Sequence, residues 1–350
     1  MSNIVNNKKF VINDEPYIIA EIGVNHGGSI ALARRLIDEA KIGGADAVKF
    51  QTYKAEKIAS KDSPPYWDTS KEDSKSQYLL FKKFDSFDEQ DYLDLYDYCK
   101  ELDIDFLSTP FDNDAVDFLN PLMPFFKIAS ADITNIPLLR KVASCQKPVL
   151  LSTGASTLRE IDAAINELKA GGAPDVSLMH CMLNYPTKYE DAELGTITTL
   201  KKNFPSCVIG YSDHTFPEKD MLTLLIAVSK GAKIIEKHFT HDKNIIGNDH
   251  FHSMDKEDLS TLRNNIKRVI KISGITDLSF RNKEVSAIKN ARRSIVLSKD
   301  IKSGDIITED KITYKRPASG ISTIHWDEVL GRTVIRDLKS DDILHWKDIN

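Results

Sequence analysis

The stretch YIIAEIGVNHGGSIALARRLIDEAKIGGADAVKFQT (residues 17–52) contains two short apolar runs with an amphipathic segment between them. The runs YIIAEIG (17–23) and AVKFQT (47–52) have the length of strands, and the intervening segment repeats its apolar residues with helical spacing. Gly43 and Gly44 stand where this helix should end, because a helix often closes on a left-handed residue, which glycine tolerates. The stretch therefore predicts a strand–helix–strand unit.

Six further apolar runs of strand length follow this unit along the chain. Segments with helical spacing lie between them, for example LREIDAAINELKAGG (158–172) and EKDMLTLLIAVSKGA (218–232). Strands that are apolar throughout are expected where helices cover both faces of a parallel sheet. Eight such units in about 240 residues predict an α/β fold of the (β/α)8 TIM-barrel class. The six runs are DFLSTPF (105–111), FFKIAS (125–130), PVLLSTG (148–154), VSLMHCM (176–182), VIGYSD (208–213) and KIIEKHF (233–239).

A doubly wound open sheet is the alternative fold. It would need a glycine-rich phosphate turn of the form GxGxxG after the first strand, but the turn here reads GVNHGGS (23–29). The barrel is therefore the preferred prediction.

The sequence pattern changes after Gly274. Residues 275–290 read as a linker, and residues 291–350 form a run of short strands and turns. We therefore expect a catalytic barrel over residues 1–274 and a small β-rich domain over 291–350. A module of about 60 residues is near the lower size limit for a domain that is stable alone. We therefore expect it to pack against its own barrel or against a neighbouring subunit. The long segment 53–84 is expected to form a lid or binding element.

Composition excludes several classes of protein. The 350 residues include 47 Lys and Arg against 52 Asp and Glu, a net charge of −5, so neither a nucleic-acid nor an anionic-membrane partner is expected. The apolar content of 41% excludes intrinsic disorder. The first residues lack a signal-peptide core, which predicts a cytoplasmic protein. The four cysteines are far apart and predict neither a zinc knuckle nor a disulfide framework.

Polar residues stand at the ends of all eight predicted strands. In a barrel these ends meet on one face, where the active site lies. Lys49 and Gln51 share one face of their strand, and a lysine inside an apolar run is costly to bury without an anionic partner. The lysines and hydroxyls together predict a site for a small anion, a phosphate or a carboxylate. The residues are Glu21, Asn25, His26, Lys49, Gln51, Ser108, Thr109, Lys127, Ser130, Asp132, Ser152, Thr153, His180, Asn184, Tyr185, Ser212, Asp213, His214, Glu236, Lys237 and His238.

Two histidines end consecutive predicted strands. His214 and His238 should come close enough to share a metal ion, and two imidazoles suit Mn, Zn, Co or Fe. The alternative is a pair of core histidines bonded to the backbone. His250 and His252 offer further imidazoles, but their surroundings predict a loop.

The motifs resemble those of the bacterial sialic acid synthase family, the nonulosonate synthases, which condense phosphoenolpyruvate with an N-acetylated six-carbon aldose. The resemblance extends into the tail, where ARRSIV (291–296) and KRPASGI (315–321) are similar to the antifreeze-like SAF domain of these enzymes. The barrel segments that carry the resemblance are AEIGVNHGG (20–28), GADAVKFQT (44–52), FLSTPF (106–111), FKIAS (126–130), LSTG (151–154), HCMLNYPT (180–187), GYSDHT (210–215) and EKHFT (236–240).

The resemblance implies a role for each matching residue. It places a divalent metal on His214 and His238, with Mn²⁺ expected and Mg²⁺ or Co²⁺ as alternatives. Glu21 and Asp132 would be catalytic carboxylates, either of which could assist a water as general base. Arg316 would reach across a homodimer to the partner's sugar. Phosphoenolpyruvate would be bound by Lys49, Thr109, Lys127, Ser130, Ser152, Asn184 and Ser212, and the sugar by Glu21, Gln51, Tyr185, Asp249 and Arg316.

The sequence departs from the family pattern at two positions and leaves the sugar open. Asp132 stands where relatives often have Glu, and Leu183 stands where they have Asn, with Asn184 following. N-acetylmannosamine, giving N-acetylneuraminate, is the expected acceptor. A 2,4-diacetamido-6-deoxy sugar, giving N,N'-diacetyllegionaminate, and a phosphorylated sugar are alternatives.

Two other activities are weighed against the synthase. A Schiff-base aldolase would use Lys49 or Lys127 in the same barrel. An ice- or carbohydrate-binding protein would act through the tail, but a pure binder needs no ring of Lys, Glu and His at the strand ends.

Overall fold

The computed structural model describes residues 15–65, 67, 69, 72–247, 249–274 and 282–350. The N-terminal stretch 1–14, most of the region tested for a leader, and the first part of the predicted linker, 275–281, lie outside the described residues. The chain divides into two compact units, Met1–Gly274 and Ile275–Asn350, and each has a hydrophobic core of its own.

The first unit is built on eight parallel strands. Along the sheet their order is β3-β2-β1-β8-β7-β6-β5-β4, and β3 lies beside β4, so the sheet curves into a nearly closed barrel. This confirms the predicted TIM-barrel class and excludes the doubly wound sheet. The strands are β1 (Tyr17–Gly23), β2 (Ala47–Thr52), β3 (Asp105–Pro110), β4 (Phe126–Ile128), β5 (Val149–Ser152), β6 (Val176–Cys181), β7 (Ile209–Asp213) and β8 (Ile234–His238).

Helices between the strands begin and end at residues suited to those positions. The Ser29 side chain accepts a hydrogen bond from Leu32 N at the start of the first helix, and Gly44 closes it with a φ of 97°. Among the described residues, none of the helices is both long and apolar enough to cross a lipid bilayer. The helices are α1 (Ile30–Gly43), α2 (Ala55–Ile58), α3 (Gln77–Phe84), α4 (Glu89–Glu101), α5 (Asn113–Leu119), α6 (Ile136–Ser144), α7 (Leu158–Ala170), α8 (Gly195–Asn203), α9 (Leu222–Ser229) and α10 (Lys256–Ser273).

Strand register sets which polar residues lie side by side in the barrel. Glu21 pairs with Lys49 on β2 and with His238 on β8. Ser212 on β7 lies beside Glu236 on β8. Because side chains alternate along a strand, Glu236 and His238 share one face of β8.

The second unit contains a two-stranded antiparallel sheet, β9 (Ser294–Leu297) with β10 (Ile312–Lys315), and short helices α11 (Val285–Ala291) and α12 (Trp326–Val329). The predicted linker is therefore helical over most of its described part. Buried aliphatic residues such as Ile295, Leu297 and Leu344 form the core of the unit.

Candidate active site

A cavity of about 440 Å³ opens among the carboxyl ends of the barrel strands. Most residues predicted for the site line it, although they come from all eight strand ends and the loops that follow. The predicted residues found in its lining are Glu21, Lys49, Gln51, Thr109, Lys127, Ser130, Asp132, Ser152, Tyr185, Ser212, His214, His238 and Asp249.

Two buried lysines and two buried carboxylates form the inner end of the cavity. Lys49 Nζ lies 2.6 Å from Glu21 Oε2 and 3.6 Å from Glu236 Oε1. Lys127 Nζ lies 2.9 Å from the same Glu236 oxygen. Glu236 therefore holds the two ammonium groups close together, a function that the sequence analysis did not assign to it. Its position two residues before His238 on one strand was the available signal.

The charges of this cluster support one another. Burial alone would raise the pKa of Glu236, but Lys127 and Lys49 outweigh it and bring that pKa to about 2. Burial alone would lower the pKa of Lys49, but Glu21 and Glu236 raise it. Burial raises the pKa of Glu21 against the opposing charge of Lys49. The pKa shifts of Lys49 and Glu236 therefore favour the charged form of both groups.

Hydroxyl groups surround the two lysines. Thr109 Oγ1 accepts a hydrogen bond of 3.0 Å from Lys49 Nζ, and Ser212 Oγ donates one of 3.2 Å to Glu236. Ser130 Oγ accepts from the Gly154 amide at 2.9 Å. Ser152 Oγ is buried and has no hydrogen-bond partner within the described part of the chain. Its hydroxyl is therefore available to a ligand.

Imidazole rings also line the cavity, and we call the part around them its imidazole side. The rings of His214 and His238 are 5.5 Å apart, and the Tyr185 ring packs 4.1 Å from that of His214. His214 Nδ1 lies 2.7 Å from the Met182 carbonyl, which can only accept, so Nδ1 carries the proton and Nε2 keeps its lone pair. Burial lowers the pKa of His214 to about 4, which keeps the ring neutral.

A second imidazole and a carboxylate lie beside His238. Ligand atoms of His238, Asp249 and His252 all lie within 4.8 Å of one another. His250–His252 is a single 3-10 turn and His252 is fully buried, whereas the sequence pattern predicted a loop for both histidines. Burial, followed by the charge of Glu21, raises the pKa of Asp249 to about 7. These three groups could hold a divalent metal.

Several of the strand-end residues are buried outside the cavity lining, among them Lys237, Asp213 and His180. Lys237 Nζ lies 2.5 Å from Asp213 Oδ2, and this ion pair is buried outside the cavity lining. Tyr211 also donates to Asp213, at 2.8 Å. His180 Nε2 bonds the Ala192 carbonyl at 2.8 Å. Because successive side chains on a strand point to opposite faces, Lys237 cannot join its neighbours Glu236 and His238 in the cavity.

Two predicted site residues lie elsewhere. Asn184 is exposed and is absent from the cavity lining, to which Leu183 and Tyr185 contribute instead. Its role in binding phosphoenolpyruvate therefore has no support in the described cavity. Arg316 is exposed in the second unit, directly after β10.

The segment between β2 and α4 supplies much of the outer wall. Its length alone predicted a lid or binding element, but the side chains involved could not be chosen from the sequence. We call Ile58, Trp67, Leu80, Phe81 and Phe84 the apolar wall, and all five line the cavity. Glu72 and Gln77 also line it, but Glu72 pairs with Lys83 at 3.0 Å and Gln77 Nε2 donates to the Pro64 carbonyl at 2.8 Å.

Comparison with known proteins finds relatives along the whole chain. The chain is 42% identical to the uncharacterized protein MJ1065 of Methanocaldococcus jannaschii, over 100% of this chain and 99% of that protein. It is 40% identical to the N,N'-diacetyllegionaminic acid synthase of Campylobacter jejuni, over 93% of this chain and 98% of the synthase.

Solved structures and family patterns agree with these relatives. The crystal structure of N-acetylneuraminic acid synthetase from Leptospira borgpetersenii is 35% identical, with a TM-score of 0.70 over 79% of this chain and 91% of that one. The sequence pattern of the NeuB family matches residues 36–277, and that of the SAF domain matches residues 292–350. The resemblance seen in the sequence is thereby confirmed. The chain belongs to the NeuB family of nonulosonate synthases, a family of condensing enzymes, and ends in a SAF domain.

Proposed function

We propose that this enzyme condenses phosphoenolpyruvate with an N-acetylated aldose and water, giving a nine-carbon 2-keto-3-deoxy acid and inorganic phosphate. The observation that carries the proposal is one cavity lined both by paired buried lysines and by neutral imidazoles. The first feature suits an anionic enol phosphate, and the second suits a metal-bound carbonyl oxygen. Because phosphoenolpyruvate is made in the cytoplasm, the proposal places the enzyme there.

The inner end has the groups that a phosphate and a carboxylate need. Lys49 and Lys127 supply charge, while the hydroxyls of Thr109 and Ser152 supply directional hydrogen bonds. The buried Ser152 hydroxyl gains a partner when an acceptor-only oxygen enters.

The imidazole side fits a divalent cation, for which we propose Mn²⁺, with Mg²⁺ or Co²⁺ as alternatives. His238 Nδ1 is buried without a hydrogen-bond partner among the described residues, and His214 keeps the lone pair on Nε2. A cation held by His214 and His238 would act as a Lewis acid on the aldehyde oxygen of the open-chain sugar.

The remaining steps belong to side chains of the cavity. When the enol carbon joins the aldehyde carbon, positive charge develops at the carbon that carries the phosphate oxygen, and water adds there. Glu21 and Asp132 both line the cavity, and burial raises the pKa of each, so either could take the proton of that water. The bond from that carbon to the phosphate oxygen then breaks, the new hydroxyl loses its proton to become the keto oxygen, and Lys49 and Lys127 stabilise the departing phosphate.

Metal removal separates this reaction from the aldolase alternative. With phosphoenolpyruvate and an accepted aldose, EDTA should reduce phosphate release at least a hundredfold, and Mn²⁺ should restore it. Borohydride should trap no covalent adduct, because no lysine forms a Schiff base. Activity that survives metal stripping, together with a borohydride adduct on Lys49 or Lys127, would establish the aldolase instead. Thermal hysteresis without any phosphate release would favour the ice-binding alternative.

The apolar wall favours a 2,4-diacetamido-6-deoxy sugar as the acceptor. Where N-acetylmannosamine has hydroxyls at C4 and C6, such a sugar carries the methyl of a second acetamido group and a C6 methyl, and methyl groups are the parts that an apolar wall can bury. The polar neighbours of the wall, Glu72 and Gln77, already bond to other protein groups. We therefore propose a legionaminate-type product ahead of N-acetylneuraminate. A phosphate-release assay that compares kcat/KM for the diacetamido sugar, N-acetylmannosamine and N-acetylmannosamine 6-phosphate tests this preference. A higher kcat/KM with N-acetylmannosamine or its 6-phosphate would overturn it.

Leu80→Gln should weaken the binding of the sugar without affecting the binding of phosphoenolpyruvate. Burying a leucine side chain contributes about 1.5–3 kcal/mol, so replacing this contact should raise the KM for the diacetamido sugar about tenfold or more. The matched control is Leu79→Gln, because Leu79 is 52% exposed and does not line the cavity. Equal KM values for the sugar in the two variants would show that the apolar wall does not contact the sugar.

We also propose a homodimer in which Arg316 serves the sugar bound by the partner subunit. Arg316→Ala should raise the KM for the sugar. When it is mixed with an inactive Lys49→Met protein, exchanged dimers should recover activity, since each contains one intact barrel facing one intact arginine. If subunit exchange is verified and the mixture has no more activity at low sugar concentration than its two parents assayed separately, the arginine does not act across subunits.

A further inference from the structure

We infer that the divalent cation of this enzyme is held by His252 and Asp249 in addition to the histidine pair 214 and 238. The inference rests on the metal dependence in the proposed function and deepens it. It also changes the expected role of Asp249 from a sugar contact to a metal ligand.

The burial of His252 is the first observation. Its side chain is 0% exposed, and neither ring nitrogen has a hydrogen-bond partner within the described ranges. Leaving a buried polar group unpaired costs free energy, so buried imidazoles ordinarily bond through at least one nitrogen. A cation between His252 and Asp249 would supply the missing partner.

The separations of the donor atoms are the second observation. Asp249 Oδ2 lies 3.3 Å from His238 Nδ1, and Asp249 Oδ1 lies 4.0 Å from His252 Nε2. Direct N–H···O hydrogen bonds prefer about 2.7–3.2 Å, so neither contact is a good one. Donors that share an ion at about 2.0–2.2 Å stand roughly 3–4.4 Å apart. The observed spacing therefore suits a shared ion better than direct bonds.

The local fold explains why the two residues face the same point. A 3-10 helix has three residues per turn, so Asp249 and His252 lie above one another. Ser253 Oγ donates to the Asp249 carbonyl at 2.6 Å, and Asn25 Nδ2 donates to Ser253 Oγ at 3.2 Å. The turn is thereby anchored to the loop after β1 and keeps its groups in place.

The chemistry of the donor groups limits which cations the site should prefer. Two imidazoles and one carboxylate, with His214 as a further imidazole, suit Mn²⁺, Fe²⁺ or Co²⁺ better than Mg²⁺, which prefers oxygen ligands. The ring of His252 is centred 4.9 Å from that of His238 and 6.2 Å from that of His214. All three rings therefore lie close to one another.

Metal binding tests this inference without reference to turnover. Full-length protein is stripped with EDTA and titrated with Mn²⁺, following free Mn²⁺ by electron paramagnetic resonance. His252→Gln should raise the Kd about tenfold or more and change the d–d absorption of the Co²⁺ form. His250→Gln is the matched control, because His250 Nδ1 bonds Thr240 Oγ1 at 2.7 Å in the same turn and should leave both readouts unchanged.

Pulsed resonance of the wild-type Mn²⁺ protein covers the case in which a variant does not fold. Couplings from three imidazole nitrogens are expected, and couplings from only two would overturn the inference. An unchanged Mn²⁺ Kd and Co²⁺ spectrum in folded His252→Gln would overturn it as well. If the enzyme releases phosphate but His252→Gln binds Mn²⁺ as tightly as the wild type, His252 is not a metal ligand and the proposed function still stands. If His252→Gln binds Mn²⁺ more weakly but the wild-type enzyme releases no phosphate from phosphoenolpyruvate with any aldose, the metal ligand stands and the proposed function fails.

Discussion

Lys49→Met is expected to lower kcat/KM for phosphoenolpyruvate by about 100- to 1000-fold. The Lys49 ammonium lies 2.6 Å from Glu21 and 3.0 Å from the Thr109 hydroxyl at the inner end of the cavity. Removing one positioned donor from the site of developing charge typically costs this much. Phosphate release at varied phosphoenolpyruvate measures the effect, and the KM for the sugar should move far less.

The variant should stay folded and lose little stability. Glu21 loses its ammonium partner, but burial already raises the pKa of Glu21 toward the neutral form, and Lys127 still pairs with Glu236. Lys169→Met, on the exposed face of α7, is the control and should leave turnover at the wild-type level. If Lys49→Met has wild-type kinetics, Lys49 does not bind phosphoenolpyruvate.

Lys237→Met is expected to show the opposite pattern, a loss of stability. Lys237 is buried and bonds Asp213 at 2.5 Å and the Thr215 carbonyl at 2.6 Å. Removing one partner of a buried pair costs about 3–5 kcal/mol, because the other charge is left uncompensated. At roughly 2–4 °C per kcal/mol, the unfolding temperature of the barrel should fall by about 6–20 °C.

Thermal and denaturant unfolding, followed by circular dichroism, measure this loss. Adding Asp213→Asn to Lys237→Met should recover part of it, since a neutral amide avoids the stranded carboxylate while its oxygen still accepts from Tyr211 and Thr215. Lys169→Met again serves as the control and should change stability by no more than about 0.5 kcal/mol. If Lys237→Met and the wild-type protein unfold at the same temperature and denaturant concentration, the ion pair does not stabilise the barrel.

Strand positions could be read from the sequence because burial on both faces leaves long apolar runs. FFKIAS (125–130) illustrates the limit, since β4 covers only Phe126–Ile128. The run continues into Ser130, which begins a 3-10 turn and leaves the sheet. Apolar character marks burial, but it does not mark where backbone pairing stops.

Site residues were predictable where they follow strand alternation. Lys49 and Gln51 sit two apart on β2, and the structure places both in the cavity. The approach of His252 to His238 was not predictable, because it depends on how the loop after β8 folds back into a turn. The apolar wall depends in the same way on the packing of α3 over the barrel.

The most direct test of the proposed chemistry follows one oxygen atom. Phosphoenolpyruvate labelled with ¹⁸O at the oxygen that bridges carbon and phosphorus is supplied with Mn²⁺ and the diacetamido sugar. Cleavage of the carbon–oxygen bond predicts that the label leaves in inorganic phosphate, which mass spectrometry detects as a gain of two mass units. Unlabelled phosphate formed together with the nine-carbon acid would contradict the mechanism, because the phosphorus–oxygen bond would then have been the one that broke.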